Sequence, residues 1–432
     1  MAATTNLNLR NKIIYQVFVR QYSDTHNFEG LRKDLKRIKD LGIDYIELLP
    51  IHPIGKLNRK GSIGSPYSVY DYYAINEDYG SLDDFKNLIN DIHKLDMKII
   101  MDIVFNHTSR DSILTQRHPE WFYKTMNGEF KNRVGDWSDV TDLNFEDKKT
   151  YEYLKDVLIY YTKLGVDGYR FDVASLIPYD FFEYAFKEVK KINNDIFLLA
   201  ETIHLNFNKY IRDLGYNTSS DGELYNLFDA EYEYDCNDYL QQYLKGECEI
   251  TEYLKRVYDE EAMYPLNYIK VRFIENHDFG RAVSFLNDEI RLKNILTLSY
   301  LTKGMMFLYN GIETLTKRLP NLFEIDEIKW ENYNKDGIVD LIKKLNKIKK
   351  RECFINGIWD YKVVDDVVII SIKNSIQELR GIINLNHYKG EIKIDLYGNY
   401  KELLSDKYYD INGHVKVEEE ALIFEIANDK IS

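Results

Sequence analysis

A chain of 432 residues has room for one large domain with a small one attached, or for two or three domains. Its 44% hydrophobic and 14% aromatic content exclude a disordered chain, and the balance of 57 Lys+Arg against 71 Asp+Glu, net −14, opposes binding to nucleic acid or an anionic membrane. Three scattered cysteines, Cys236, Cys248 and Cys353, are too few for a disulfide framework or a zinc site and read as free thiols.

The N-terminal MAATTNLNLRNK lacks the apolar core of a signal peptide, and no run reaches the roughly 18 apolar residues of a membrane span. A cytoplasmic protein is expected. Short runs rich in Ile, Val, Tyr and Phe predict strands at 13–19, 45–49, 98–105, 168–174, 196–200, 223–228, 268–274 and 305–309. Between them, apolar residues recur at helical spacing, as in Leu31-Leu35-Ile38-Leu41, Phe85-Leu88-Ile89-Ile92-Leu95 and Leu154-Val157-Leu158-Tyr161-Leu164. Ser81 followed by Asp84 marks a helix start.

Eight strands alternating with helices imply parallel βαβ units, and eight strands close a (β/α)8 TIM barrel. A doubly wound open sheet would want a glycine-rich turn after its first strand, where IIYQVFVRQYSD stands instead. Two polar stretches, 51–80 and 107–144, interrupt the rhythm where βα loops would emerge. After about Cys353 strand-like runs (363–372, 379–385, 391–396, 422–426) alternate with turn signals at 386–390, 397–399 and 412–414. The division predicted is a barrel from 1–106 and 145–352, an insertion at 107–144, and a C-terminal antiparallel β-sandwich at 353–432.

Polar residues close several of these strands: Asp102, Asn106 and His107 the third, Arg170 and Asp172 the fourth, Glu201 the fifth, and Glu275-Asn276-His277-Asp278 the seventh. In a barrel these ends converge on one mouth. Taken singly, each has a structural explanation: an ion pair on a strand, a helix cap, a turn. Taken together, three acidic strand ends beside two histidines and an arginine suit cleavage of a glycosidic bond, which needs two flanking carboxyls. Arg170 would keep Asp172 ionised, while Glu201, after the apolar run IFLLA, would hold a proton.

Four ordered stretches, MDIVFNH (101–107), GYRFDVA (168–174), LLAET (198–202) and FIENHD (273–278), with VTDLN (140–144), resemble the signatures of the α-amylase family, glycoside hydrolase family 13. The resemblance covers about residues 10–350. It implies Asp172 as nucleophile, Glu201 as general acid/base and Asp278 as a third, sugar-binding carboxylate. It further implies Arg170, His107, His277 and Tyr67 as residues that orient the nucleophile or bind the sugar, and a retaining mechanism with the two reacting carboxyls about 5–5.5 Å apart. Asp102 belongs to the first motif as a structural member.

The chain departs from the family pattern where Ser175-Leu176 replace a Lys-His pair that serves acceptor sugars and calcium, and where Ser68 replaces an Asp common in α-glucosidases. Asn106 and Asp142 match calcium ligands, but two donors do not make a site, so no cofactor is expected. The expectation is therefore a hydrolase acting mainly on α-1,4 bonds of maltooligosaccharides or starch-type glucans. A transglycosylase or α-glucosidase of the same family is the alternative. A non-catalytic glucan-binding relative should have lost one of the three carboxylates, and a metal-dependent barrel enzyme should carry clustered His ligands such as HxH; neither is the case. Trp121 and Trp137 suit sugar stacking or packing equally, Arg281, three after Asp278, suits either a reach into the site or a local pair, and the run Lys343–Arg351 suits a solvated helix face.

Overall fold

The computed structural model describes residues 5–134, 136–286, 288–365 and 367–427. Three strands open the chain: β1 (Ile13–Val17), β2 (Tyr45–Leu48) and β3 (Lys98–Ile103). A short antiparallel pair, β4 (His107–Ser109) and β5 (Val140–Asp142), begins and ends the insertion. Five strands follow, β6 (Gly168–Phe171), β7 (Phe197–Ala200), β8 (Ala230–Tyr232), β9 (Lys270–Arg272) and β10 (Met305–Tyr309). All neighbouring pairs among the eight are parallel, and they close in the order β1-β2-β3-β6-β7-β8-β9-β10. This is the predicted (β/α)8 barrel.

Both faces of a parallel barrel are covered, so its strands are apolar nearly throughout. Inside, Ile14, Ile100, Leu199, Phe273 and Phe307 pack in one cluster; outside, the strands meet the apolar stripes of the surrounding helices. The helix Phe28–Asp40 buries Phe28, Leu31, Leu35 and Ile38, and Leu82–Lys94 starts at a reciprocal Ser81–Asp84 capping box. A second box overturns the predicted strand at 223–228. Ser220 and Glu223 cap a helical turn, Asp221–Leu224, and the sixth strand forms later, at Ala230–Tyr232. The helix Asp340–Lys349 also departs from expectation at its end: Lys349 is fully buried, donating to the carbonyls of Tyr300 and Thr302.

The C-terminal part contains β11 (Ile358–Val364), β12 (Val367–Lys373), β13 (Gln377–Asn384), β14 (Glu391–Lys401), β15 (Tyr408–Lys416) and β16 (Leu422–Ala427). A four-stranded antiparallel sheet, β11-β12-β13-β16, faces the β14-β15 pair across a small core that includes Val367, Ile382, Ile394, Ile411 and Phe424. The run 363–372 is thus two strands folded back at Asp365, which has φ +49°. The turn signals at 397–399 and 412–414 lie inside β14 and β15; the register shifts between Lys393 and Tyr397, where the extra residues of β14 stand opposite Gly413 at φ +74°, so the strands run on without a turn. Asn294, on the barrel helix Glu289–Tyr300, fastens this layer by donating to the carbonyls of Asn384 and Glu419. Cys236 and Cys353 are buried and Cys248 half-buried, all free thiols. No helix among the described residues is long and apolar enough to cross a membrane.

Candidate active site

The strand-end residues meet in one cavity of about 230 Å³, lined by Tyr67, His107, Trp137, Asp172, Glu201, His277 and Asp278 among others. Arg170 is at its base. Positions i and i+2 of a strand share a face, so Arg170 and Asp172 both point inward. The fully buried guanidinium serves three carboxylates. Its Nη1 lies 2.8 and 2.9 Å from the two oxygens of Asp102 and 3.1 Å from Oδ1 of Asp172; its Nη2 lies 2.6 Å from Oε1 of Glu201.

Burial, opposed by Arg170, holds Asp102 up at about 6. Burial first, and the Glu201 charge second, push the Asp172 carboxyl upward against the pull of Arg170. Arg170 offsets only part of the cost of placing Asp172 here, so the expectation that it alone keeps Asp172 ionised is corrected: burial and the neighbouring Glu201 charge outweigh it. Asp278 faces the cavity from the β9 side; its backbone N–H donates to Asn276 Oδ1.

Both histidines stay neutral, His107 lowered to about 4 and His277 to about 3, each mainly by burial. Gln16 donates its Nε2 to Glu47 and sets its Oε1 3.1 Å from His277 Nδ1, while His277 Nε2 lies 2.6 Å from the Tyr67 hydroxyl and 3.3 Å from Asp278 Oδ2. That hydroxyl is also 2.8 Å from Asp102 Oδ2, and the Tyr67 ring stacks on His277 with centroids 5.4 Å apart. Asn106 donates to His107 Nδ1 (3.1 Å), so the His107 proton sits on Nε2, 4.0 Å from Asp172 Oδ2 and facing the cavity.

Asn106 and Asp142, the calcium candidates, share a different cation. Arg133 donates to Asn106 Oδ1 through Nη2, to Asp142 Oδ2 through Nε (2.9 Å) and its own backbone N–H (3.0 Å), and to the Leu176 carbonyl through Nη1 (3.1 Å). Only Oδ1 of Asp142 is left without a partner. Calcium takes about six to eight oxygens, so this donor set does not fit one.

Several members of the site carry no sequence signal. Val173, directly after Asp172, adopts φ +39°, ψ 47°, a left-handed conformation a β-branched residue rarely takes. The bend aims its N–H at Glu201 Oε2, 2.6 Å away. Tyr234 reaches Glu201 Oε1 at 3.5 Å, and the His204 ring stacks on Tyr234 at 4.5 Å. Lys60, Asp139, Leu322 and Phe323 line the cavity from loops far apart in the chain. The remaining candidates separate cleanly. Trp137 faces the cavity, while Trp121 is buried with its indole N–H on Asp147; Arg281 pairs with Glu275; Ser175 and Leu176 are buried and present nothing to a ligand.

The α-amylase catalytic-domain model matches residues 16–137 and 113–363. An α-amylase from Lactobacillus plantarum superposes with a TM-score of 0.94 at 39% identity, covering 98% of this chain and 100% of that one. A noncanonic maltogenic α-amylase from Thermotoga neapolitana gives 0.87 at 30% identity, covering 97% and 99%. Among curated proteins, an α-1,4-glucan:maltose-1-phosphate maltosyltransferase of Picrophilus torridus is 30% identical over 93% of this chain, which spans 66% of that relative's length. The chain belongs to the α-amylase family. It is an enzyme of glycosidic bonds within that family, which holds both hydrolases and transferases.

Proposed function

We propose that the protein cleaves α-1,4-glucosidic bonds in maltooligosaccharides or starch-type glucans with retention of configuration. The observation that carries this reading is the tethering of Asp172 and Glu201 to the two terminal nitrogens of one guanidinium. Such a tether favours the short separation, about 5–5.5 Å, at which one carboxylate can attack the anomeric carbon while the other reaches the leaving oxygen.

In the first step Asp172 bonds to C1 as the C1–O bond breaks, and the Glu201 proton passes to the departing oxygen. A water then gives its proton to Glu201, its oxygen bonds to C1, and Asp172 leaves. Neutral His107 offers an Nε2–H and Asp278 a carboxylate to sugar hydroxyls, while the Tyr67 ring forms one wall. If a sugar hydroxyl replaces the water, the same residues perform transfer. The α-1,4 preference is supported by the relatives named α-1,4-glucan:maltose-1-phosphate maltosyltransferase, while a relative named as a probable oligo-1,6-glucosidase marks the alternative linkage.

Maltoheptaose, pullulan, isomaltose and sucrose, followed by chromatography and by NMR of the nascent anomer, test the reading. Cleavage of maltoheptaose to α-anomers, abolished in Asp172→Asn, is expected. Release of β-anomers, or an Asp172→Asn variant of full activity, would overturn it.

A further inference from the structure

The two ends of the cavity are built differently. β7, which delivers Glu201, lies four strands from β1 in either direction round the barrel, so it is diametrically opposite. Resting on the acid/base assignment proposed above, the leaving chain lies on the β7 side, because the acid must reach the departing oxygen, and the glycone lies on the β1 side.

The β1 side is walled. Lys60 pairs with Asp139 across the cavity edge at 3.1 Å. The N–H groups of Ile63 and Gly64 both donate to the Phe323 carbonyl, at 3.1 and 3.3 Å, and the Ser62 N–H donates to Glu324 at 2.7 Å. Behind them Arg20 bonds the carbonyls of Gly64 (3.0 Å) and Leu322 (2.9 Å) at once. Gly61 is part of the seam: φ is +65°, and a side chain there would meet Phe323 and Glu324 atoms at 2.7 Å. Loops following β1, β2, β3 and β10 thus join into a continuous barrier. The cavity it bounds, about 230 Å³, is below the roughly 300–1,000 Å³ of ordinary ligand clefts.

The β7 side is open and aromatic. Trp137 lies edge-on to Phe207 with centroids 6.3 Å apart, and Phe207 stacks on Tyr210 at 6.4 Å; Tyr210 is half exposed. These rings lead from the cavity along the helix Leu205–Asp213. The rings offer flat apolar faces to a sugar chain where the buried Ser175 and Leu176 offer none.

We infer that the enzyme takes glucans by their non-reducing ends: a short glycone, glucose or maltose, fits against the Lys60–Phe323 wall, and the remaining chain runs out over Trp137, Phe207 and Tyr210. The test compares maltoheptaose carrying a fluorophore at its reducing end with p-nitrophenyl maltoheptaoside blocked by a 4,6-ethylidene group at its non-reducing end, and with γ-cyclodextrin. The label should stay on the long fragments while glucose or maltose is released, and the blocked and cyclic substrates should react about 100-fold more slowly or worse. Blocked and open chains reacting at similar rates, or label on short fragments from the outset, would overturn the inference. Absence of turnover on every glucan would instead refute the α-glucan reading itself. Glu324→Ala, which loosens the seam, should raise activity on the blocked substrate with Tm maintained. Phe207→Ala should raise KM for maltoheptaose without changing KM for α-maltosyl fluoride; equal effects on both would contradict the assigned track.

Discussion

Arg133 fixes His107 through a single amide. By donating to Asn106 Oδ1 it forces the Asn106 NH2 toward His107 Nδ1, and so leaves the histidine proton on the nitrogen that faces Asp172. Removing this arginine should do two things. Arg133→Ala leaves the buried Asp142 without its charge partner, a loss of about 3 kcal/mol or more. It also frees the Asn106 amide, so kcat should fall even at temperatures where the variant is folded. Denaturant titration and kinetics on the same samples check both.

Chelation is the companion experiment. Since the guanidinium holds the oxygens that a calcium ion would need, prolonged dialysis against EDTA should leave Tm and rate unchanged. A fall in either, restored by calcium, would show that a metal competes for Asn106 and Asp142 in solution.

Glu201→Gln should reduce turnover of maltoheptaose by about 10²–10⁴-fold, the contribution of a positioned acid. The defect should be smaller for the first step with α-maltosyl fluoride, whose leaving group needs no proton. Azide, which needs no base, should restore turnover and yield an α-glycosyl azide; a β-azide would contradict retention.

Glu47 sets a pH dependence. It is buried beneath the site, accepting from Gln16 and Tyr232, and burial holds it up at about 7. A carboxyl raised in the folded state contributes stability below its unfolded pKa near 4.5, and that contribution is lost as pH rises through 7. Glu47→Gln should therefore shrink the stability difference between pH 5 and pH 8 by up to about 3 kcal/mol. An unchanged difference would assign the slope to other groups.

Val173→Gly removes the penalty of φ +39°, about 1–3 kcal/mol, but adds roughly 0.5–1 kcal/mol of chain entropy and loses side-chain packing. Stability should stay near that of the parent. The N–H aimed at Glu201 becomes less fixed, and kcat should drop severalfold with little change in KM.

Much of this site was legible in the chain because strand periodicity and barrel topology are simple rules. Arg170 and Asp172 two apart, Glu201 after FLLA and Asp278 after the seventh strand needed only that parallel strands end at one mouth. Val173 was illegible because nothing in GYRFDVASL signals a left-handed residue; the bend is imposed by contacts made after folding. Arg133 escaped notice because its partners are 9, 27 and 43 residues distant. The strand misplaced at 223–228 was a different error: the Ser220–Glu223 box was readable, and the apolar residues after it drew the strand assignment instead. In the β-sandwich, glycine and asparagine at 412–414 signalled a turn equally consistent with the bulge that formed.

The pairing of His107 with Asp142 places the first and last residues of the insertion on one rung of a ladder. What lies between is a closed excursion from the barrel, and the entropy of closing such an excursion grows only logarithmically, about 0.6 kcal/mol per doubling of its length. With Arg133 kept to hold Asn106 and Asp142, the rest of the segment that supplies Trp137 and Asp139 can therefore be lengthened, shortened or exchanged at small cost to folding. The barrel that holds the three carboxylates would be undisturbed, so the reach of the cleft and the chemistry beneath it are separately adjustable.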